Sequence, residues 1–527
     1  MNRIHINQLG YRPNDPKKAI ITMNPPNDDA GIDFNIVRVS DKAVAYSGTA
    51  SESVSDSASR DTVRIADFSG FTAAGEYVVS SGALCSYPFA IGDNPYADLR
   101  AAVLEMFHYQ KCGVDLECGL WSHPACHITP AVIYGTDKKK DVSGGWHDAG
   151  DYGRYIVPAA KTIADLLWAY KLAANPDQRI LDIVWFEIEW MLKMQDEGSS
   201  GGVYHKVSCE KFDALDEMPQ DEKGELFLSP ISATATADFA ASIALASRFY
   251  PDHKDKLLNA AHRAWNWCLA HPDAVGFTNP PGISTGAYGD NDSRDERFWA
   301  ACALFAATGD ETYHDYIKTC GLYTEECRAD ILFPFGLGWG NVEAYGLIEY
   351  LLHTEGKTDD SVTRLMKDKL LRFCDIIMKL HKNNPYGVSL GDTYRWGSNM
   401  VAANNAMMLL LGSRFTDNSQ AYIEAALEHF HYLLGRNPLS QSYITGFGFQ
   451  ASKNPHHRPS VAKGSAVPGM LVGGPCMNVD RDPAINAHCP DAPPAKRYVD
   501  HNNSFASNEV AIYWNSPMYF IMAFLGL

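Results

Sequence analysis

No stretch of this 527-residue chain reaches the ~18 consecutive apolar residues that a membrane span requires. Positive charge is scarce: 45 Lys and Arg stand against 63 Asp and Glu, a formal charge of −18. That balance argues against a nucleic-acid backbone or an anionic membrane as partner and suits a neutral substrate. Cysteine is thin at the start, with Cys85 alone in the first hundred residues, so no disulfide can staple that region internally. The 12 scattered cysteines read as free or metal-bound thiols of a reducing compartment. The opening MNRIHINQLGYRP lacks the apolar stretch of a secretory signal. The expected location is therefore cytoplasmic if the chain is complete, and secreted if a leader was removed.

Aromatic residues are plentiful: 11% of the chain, with 11 Trp and 26 Tyr. Sugars are commonly held by stacking on such rings, so the surplus fits a carbohydrate site. Length alone suggests two domains. Residues 1–92 read as an all-β, immunoglobulin-like sandwich, from the short runs KKAIITM, FNIVRVS, AVAYSG, DTVRIADFS, GEYVVSS and SYPFAIG, with turns such as NPPNDDAG between them. After GDNPYADLR the pattern turns helical over residues 93–527. About twelve helices follow, from YADLRAAVLEMFHYQK to NEVAIYWNSPMYFIMAFLG, several of them apolar on more than one face. No fixed repeat period is present, which excludes a solenoid and suits a closed double ring of six inner and six outer helices, an (α/α)6 barrel. Long Gly/Pro/aromatic loops such as LFPFGLGWG are where a site would be built.

Three constellations carry chemistry. GGWHDAGDYGRY sets Asp148 and Asp151 three residues apart, as a helix cap with its first turn or as paired carboxylates on the floor of a cleft. PHHRPS places His456, His457 and Arg458 in a proline-bounded loop. FASNEVAIYWNSP has Glu509 opening the last helix, beside Asn508 and the pair Tyr513–Trp514. A base carboxylate, an acid carboxyl and stacking rings are what glycoside hydrolysis requires. In a closed ring the first and last helices are neighbours, which would bring Asp151 and Glu509 together.

INQLGYRP, DVSGGWHDAGDYGRY, YGDNDSRDERFWAA, RWGSNMVAANNAMMLL, LGRNPLSQSYITGFG, NPHHRPS, PGMLVGGP and NEVAIYWNSP together resemble glycoside hydrolase family 9, the cellulase family, of the type with an N-terminal immunoglobulin-like domain. The resemblance implies Asp151 as general base, Asp148 as the carboxylate that positions the attacking water, and Glu509 as general acid, in an inverting reaction. It further implies sugar contacts from His456, Arg458 and Trp514, and, by looser alignment, from His205, Tyr288, Trp339 and Trp396. GGPC places Cys476 where relatives commonly have asparagine.

Cys112, Cys126, His127 and His147 form a Cys2His2 inventory that suits a closed, structural zinc site, with Cys118 as rival ligand. The resemblance supports zinc at these positions. GDNDSRDER is dense in hard oxygen donors, Asp290 among them, and suggests calcium, or else a solvated acidic cap on the following helix. The resemblance points to Asp292, Asp295 and Glu296 as its ligands. No organic cofactor is expected.

The reading is an inverting hydrolase of β-1,4-glucosidic bonds in cellulose-type glucans or cellodextrins, acting as a monomer on a β-glucan or cello-oligosaccharide. No carbohydrate-binding module or docking repeat is visible, which favours soluble oligosaccharides. Two alternatives are carried with it: an exo-acting β-glucosaminidase on glucosamine oligomers, and a non-catalytic carbohydrate-binding protein on the same scaffold.

Overall fold

The computed structural model describes all residues except 1–2, 24–31, 199, 275, 328–335, 355–359 and 478–481. The NPPNDDAG turn and part of the LFPFGLGWG loop lie outside the described residues. The N-terminal region is β-rich. One sheet has the order β1 (Arg3–His5), β3 (Lys18–Thr22), β7 (Asp61–Asp67), β6 (Val54–Asp56). The other runs β2 (Gly10–Tyr11), β10 (Phe89–Ile91), β8 (Gly75–Ser81), β4 (Asp33–Arg38), β5 (Val44–Thr49), with β9 (Leu84–Cys85) pairing β8. Alternation explains the packing: Phe34 and Ile36 of β4, and Tyr77 and Val79 of β8, all face one core. The six expected strands are present, and the short β1, β2, β6 and β9 are additions.

Eleven helices follow in order: α1 (Ala97–Tyr109), α2 (Ile156–Leu172), α3 (Arg179–Met194), α4 (Ala233–Ala246), α5 (Lys254–Ala270), α6 (Arg294–Thr308), α7 (Glu311–Cys320), α8 (Glu343–Thr354), α9 (Ser361–Lys382), α10 (Ser398–Gly412) and α11 (Ser419–Leu433). The last long helix, α12, spans Ile512–Leu525. Short helical turns punctuate the loops. Burial sorts the long helices into two kinds. α2, α4, α6, α8, α10 and α12 are buried on nearly every face, whereas α3, α5, α7 and α9 keep a polar side toward water. α2 packs on α4, α4 on α6 and α6 on α8, while α10 packs on α12 and α12 returns to α2. Among the described residues no helix is long and apolar enough to cross a membrane, and no disulfide joins any cysteines.

A small third sheet was not anticipated. Its order is β12 (Lys139–Lys140), β11 (Ala131–Ile133), β15 (Phe227–Leu228), β14 (Lys206–Ser208), β13 (Arg154–Tyr155). Strands of two or three residues carry no legible alternation, and this sheet is defined by long-range pairing alone.

The INQLGYRP segment forms the seam between the β-rich region and the helices. Asn7 bonds to His431 Nδ1 at 2.9 Å and Tyr96 Oη at 3.1 Å, and Gln8 donates to the Ser440 carbonyl at 2.6 Å. Tyr11 meets the His431 ring edge-on, with centroids 4.8 Å apart. Gly435 lies here at φ +117°, and a Cβ would come within 2.5 Å of the Gln8 amide, so LGRNP needs its glycine. Beneath this seam Glu428 is buried against Arg436, with Lys18 at 3.3 Å.

The neighbouring cations oppose burial and hold the Glu428 carboxyl at about 2, below the ~4.3 of an unfolded glutamate. Its contribution to stability is complete above pH ~5 and fades as pH falls toward 2. Replacing Glu428 by Ala leaves Arg436 buried without its counter-charge. A loss of ~3–5 kcal/mol at pH 7 is expected from urea unfolding, shrinking at pH 3 as the native protein loses the same term.

Candidate active site

The DAGD loop is not a helix start. α2 begins at Ile156 with Tyr155 as its N-cap, leaving Asp148 and Asp151 in an irregular segment tied down by backbone contacts. Gln110 donates to the carbonyls of His147 at 2.9 Å and Ala149 at 3.0 Å, and His457 in turn bonds Gln110 at 3.0 Å. The Ile512 N–H donates to the Asp148 carbonyl at 2.8 Å, joining this loop to the first turn of α12. Glu509 does not open that helix, contrary to the expectation from the sequence. It lies three residues earlier in an extended stretch, bridged in parallel to His456, with its carbonyl accepting from Gly473 N–H at 2.9 Å.

The result is a cavity of about 320 Å³ in which Asp148, Asp151 and Glu509 converge. Tyr155, Phe212, Tyr288, Trp339, Trp396, Met400, Tyr513 and Trp514 line its walls. Tyr288 donates its hydroxyl to Asp148 Oδ2, from a backbone held at φ +46°. Burial drives the Asp148 carboxyl well above its usual range, against the Tyr288 bond, with the Asp151 charge adding to the rise. Asp151 accepts from Gly153 N–H at 3.0 Å and from Tyr155 Oη at 3.4 Å. Burial raises its pKa too, opposed chiefly by Arg458 and then by the Gly153 bond. Glu509 is pushed well up by burial and by the charges of Asp151 and Asp148, with Arg458 and a bond from Trp396 opposing.

The residues read as sugar contacts divide in two. Trp514, Tyr288, Trp339 and Trp396 line the cavity, and Trp396 is 43% exposed at its rim. His205, His456 and Arg458 stand behind the wall. His205 is fully buried, with Nδ1 on Ser232 Oγ and Nε2 on the Ala287 carbonyl, both at 2.8 Å, and its ring stacked on Phe277. Arg458 donates to the carbonyls of Gly150 and Asp213, both at 2.9 Å, and His456 Nδ1 bonds the Asn502 carbonyl at 2.6 Å. These bonds tie down the loops that carry the carboxylates, and His456 keeps part of its surface open.

Beside the catalytic loop, Cys112, Cys126, His127 and His147 offer four ligand atoms, all within 4.8 Å of one another. Cys112 Sγ lies 3.6 Å from His127 Nδ1, and Cys126 Sγ lies 3.7 Å from His147 Nε2 and 3.8 Å from Cys112 Sγ. Cys118 is not part of the set. His127 Nε2 is held by Glu222 at 2.8 Å. On the other side, Asp292 pairs with Arg294 at 2.9 Å. Asp290, Asp295, Glu296 and Asp238 of α4 gather, as their electrostatic influence on Asp238 and Glu296 shows. Both oxygens of Asp238 and of Glu296 are buried without a hydrogen-bond partner, and burial raises both groups far above their usual range.

A model described as "Glycosyl hydrolase family 9" matches residues 96–522, and one described as "Cellulase N-terminal ig-like domain" matches residues 1–86. The chain belongs to glycosyl hydrolase family 9. It is 34% identical to a cellodextrinase of Butyrivibrio fibrisolvens, over 99% of both chains. It is equally similar, at 34%, to endoglucanase D of Acetivibrio thermocellus, over 99% of this chain and 83% of that one. A solved endoglucanase from Alicyclobacillus acidocaldarius superposes with a TM-score of 0.90 at 36% identity, covering 100% of both chains. A zinc-binding triple mutant of another family 9 endoglucanase superposes at 0.89 with 31% identity, over 97% of this chain and 99% of that one.

Several residues that build this family 9 site escaped the sequence reading. Phe212 and Tyr155 carry no signal outside the fold. Asp238 did: it is the lone charge in ATATADFAASIALA, a helix otherwise built of small and apolar residues. Gly150 is the other. A Cβ there would sit 2.0 Å from the His456 carbonyl oxygen, so the DAGD and HHR backbones can meet only at glycine. Gly150→Ala is expected to displace Asp151 by the order of an ångström and to lower kcat by ~10²-fold, measured on a soluble cello-oligosaccharide.

Proposed function

We propose that this glycoside hydrolase cleaves β-1,4-glucosidic bonds of cellulose-type glucans or cello-oligosaccharides with inversion. The observation that carries the reading is the convergence of Asp148, Asp151 and Glu509, from opposite ends of the helical region, on one aromatic-lined cavity. Asp151 takes a proton from a water that attacks the anomeric carbon, while Glu509 gives its proton to the departing glycosidic oxygen. Asp148, held by Tyr288, orients that water. An inverting pair needs a separation of roughly 6.5–9.5 Å to admit the water. The environments divide the two roles: Arg458 and Gly153 N–H favour an ionised Asp151, while the charges of both aspartates favour a protonated Glu509.

The packing of α10 on α12, α12 on α2, α2 on α4, α4 on α6 and α6 on α8, with α9 touching both α8 and α10, supports a closed (α/α)6 double ring over 93–527, set beside an immunoglobulin-like sandwich over 1–92. The four-ligand cluster fits zinc. Tetrahedral bonds of ~2.3 Å to sulfur and ~2.0–2.1 Å to nitrogen give ligand separations of about 3.3–3.8 Å, and the contacts of 3.6, 3.7 and 3.8 Å fall within them. Bound there, zinc would be closed off by four protein ligands and would stiffen the loop that presents Asp148. The unpartnered carboxylates of Asp238 and Glu296, with Asp295, have the chemistry of a calcium site.

A product time course on cellohexaose, with a glucosamine hexamer in parallel, tests the substrate. NMR should show α-anomers first from cellohexaose; β-anomers would sink the inverting assignment, and turnover of the glucosamine chain alone would sink the glucan one. Asp151→Asn and Glu509→Gln are each expected to lower kcat by ~10²–10⁴-fold. The wild-type kcat/KM profile is expected to be bell-shaped. It falls at low pH as Asp151 protonates, above the ordinary carboxylate range, and at high pH as Glu509 ionises. Elemental analysis of purified protein should find one zinc per chain. Cys126→Ser should lose the metal and lower both the unfolding temperature and kcat.

A further inference from the structure

Behind Asp151 lies a buried polar arm that the reaction does not itself require. Lys206, with no exposed surface, stands opposite Tyr155 in the β13–β14 pair. Its Nζ donates to Thr285 Oγ1 at 2.9 Å, to the Thr285 carbonyl at 3.4 Å and to the Gly286 carbonyl. Thr285 Oγ1 also lies 2.8 Å from Ser208 Oγ and is hydrogen-bonded to the Tyr155 side chain. The Tyr155 hydroxyl reaches Asp151 Oδ2. One residue before Lys206, His205 holds the Ala287 carbonyl, so two consecutive side chains grip the carbonyls of residues 285, 286 and 287. The next residue is Tyr288, in its left-handed backbone, with its hydroxyl on Asp148.

We infer that Lys206, acting through Thr285 and Tyr155, is a positioning residue that aims Asp151 at the attacking water and holds it ionised. The inference rests on the reading of Asp151 as the base. A lysine is fully buried only where its donors are satisfied, and here every acceptor belongs to the loop and hydroxyl that support the site. Burial lowers its pKa to about 7, opposed by the Asp151 charge. The groups facing Asp151 are Arg458 and Lys206 as cations, with Glu222, Asp148 and Glu509 as carboxyls and Tyr155 as hydroxyl donor. Arg458 braces the loop from the HHR side through the Gly150 carbonyl, and Lys206 braces it from the opposite side through β13 and β14.

Steady-state kinetics on cellotetraose across pH test this, with Tyr155→Phe, Thr285→Val, Thr285→Ser and Lys206→Met, checked for folding by unfolding temperature. Tyr155→Phe and Thr285→Val remove one hydroxyl at nearly constant shape, so they remain informative if Lys206→Met fails to fold. The expected result is a kcat reduced about tenfold with KM little changed. Loss of the bond and charge that favour the Asp151 carboxylate should also move the acidic limb of kcat/KM upward by about half a pH unit. Thr285→Ser, which keeps the hydroxyl, should recover most of the loss. Wild-type kcat and an unmoved acidic limb in Tyr155→Phe and Thr285→Val would overturn the inference, as would equal losses in Thr285→Val and Thr285→Ser. Asp151→Asn in the same assay separates the two readings. An inactive Asp151→Asn beside wild-type-like Tyr155→Phe and Thr285→Val sinks only the positioning role, whereas an active Asp151→Asn sinks the base and the positioning role together.

Discussion

Three carboxyl groups share one cavity, and the cost of withdrawing them from water governs the structure around it. Desolvation alone would leave all three protonated and idle. The fold offsets that cost unevenly: Asp151 receives an N–H bond, a tyrosine hydroxyl and two nearby cations, Asp148 receives one phenol, and Glu509 receives the repulsion of both. Unequal compensation leaves three similar groups in three different electrostatic settings, as the proposed division into base, orienting carboxylate and acid requires. It also explains why the backbone must close so tightly here. Donors this specific can be supplied only if 144–155, 454–460 and 507–512 touch, which they do through Gly150 against the His456 carbonyl and Ile512 N–H on Asp148.

The long helices were legible because their apolar periodicity is set by burial, and burial is what a sequence records most directly. The motif residues were legible as chemistry and, through family resemblance, as roles. Local conformation was less so. Asp148 and Glu509 both have helix-start credentials, yet the tertiary bridges to Gly153 and His456 outweigh a dipole preference of under ~1 kcal/mol. Spacing likewise cannot show that Asp292 pairs with Arg294. Asp238 was hidden for the opposite reason, lying some fifty residues from the acidic cluster it joins.

The role of the β-rich region is read from the seam. INQLGYRP is conspicuous as a motif because four of its side chains, those of Asn7, Gln8, Tyr11 and Arg12, are used on the helical region, through His431, Ser440 and the α12 end, where Arg12 donates to the Leu525 carbonyl. α12 carries Trp514 at one end and meets Arg12 at the other, so the packing of the two regions bears on the helix that closes the cavity.

The excursion between β14 and β15 joins what would otherwise be separate parts. Its Glu222 holds the metal-site His127, its Glu217 carbonyl accepts the Tyr152 hydroxyl, its Asp213 carbonyl accepts Arg458, and its Phe212 lines the cavity. Tyr152 in turn packs on His147 with ring centroids 4.9 Å apart. A ligand set that fixes His127 and His147 therefore constrains both edges of the DAGD loop and, through Glu222, the excursion that follows the strand beginning at Lys206. The four-ligand cluster contributes no group to the cavity, yet it is coupled to the DAGD loop, because Asp148 follows His147 directly and has no helix to hold it.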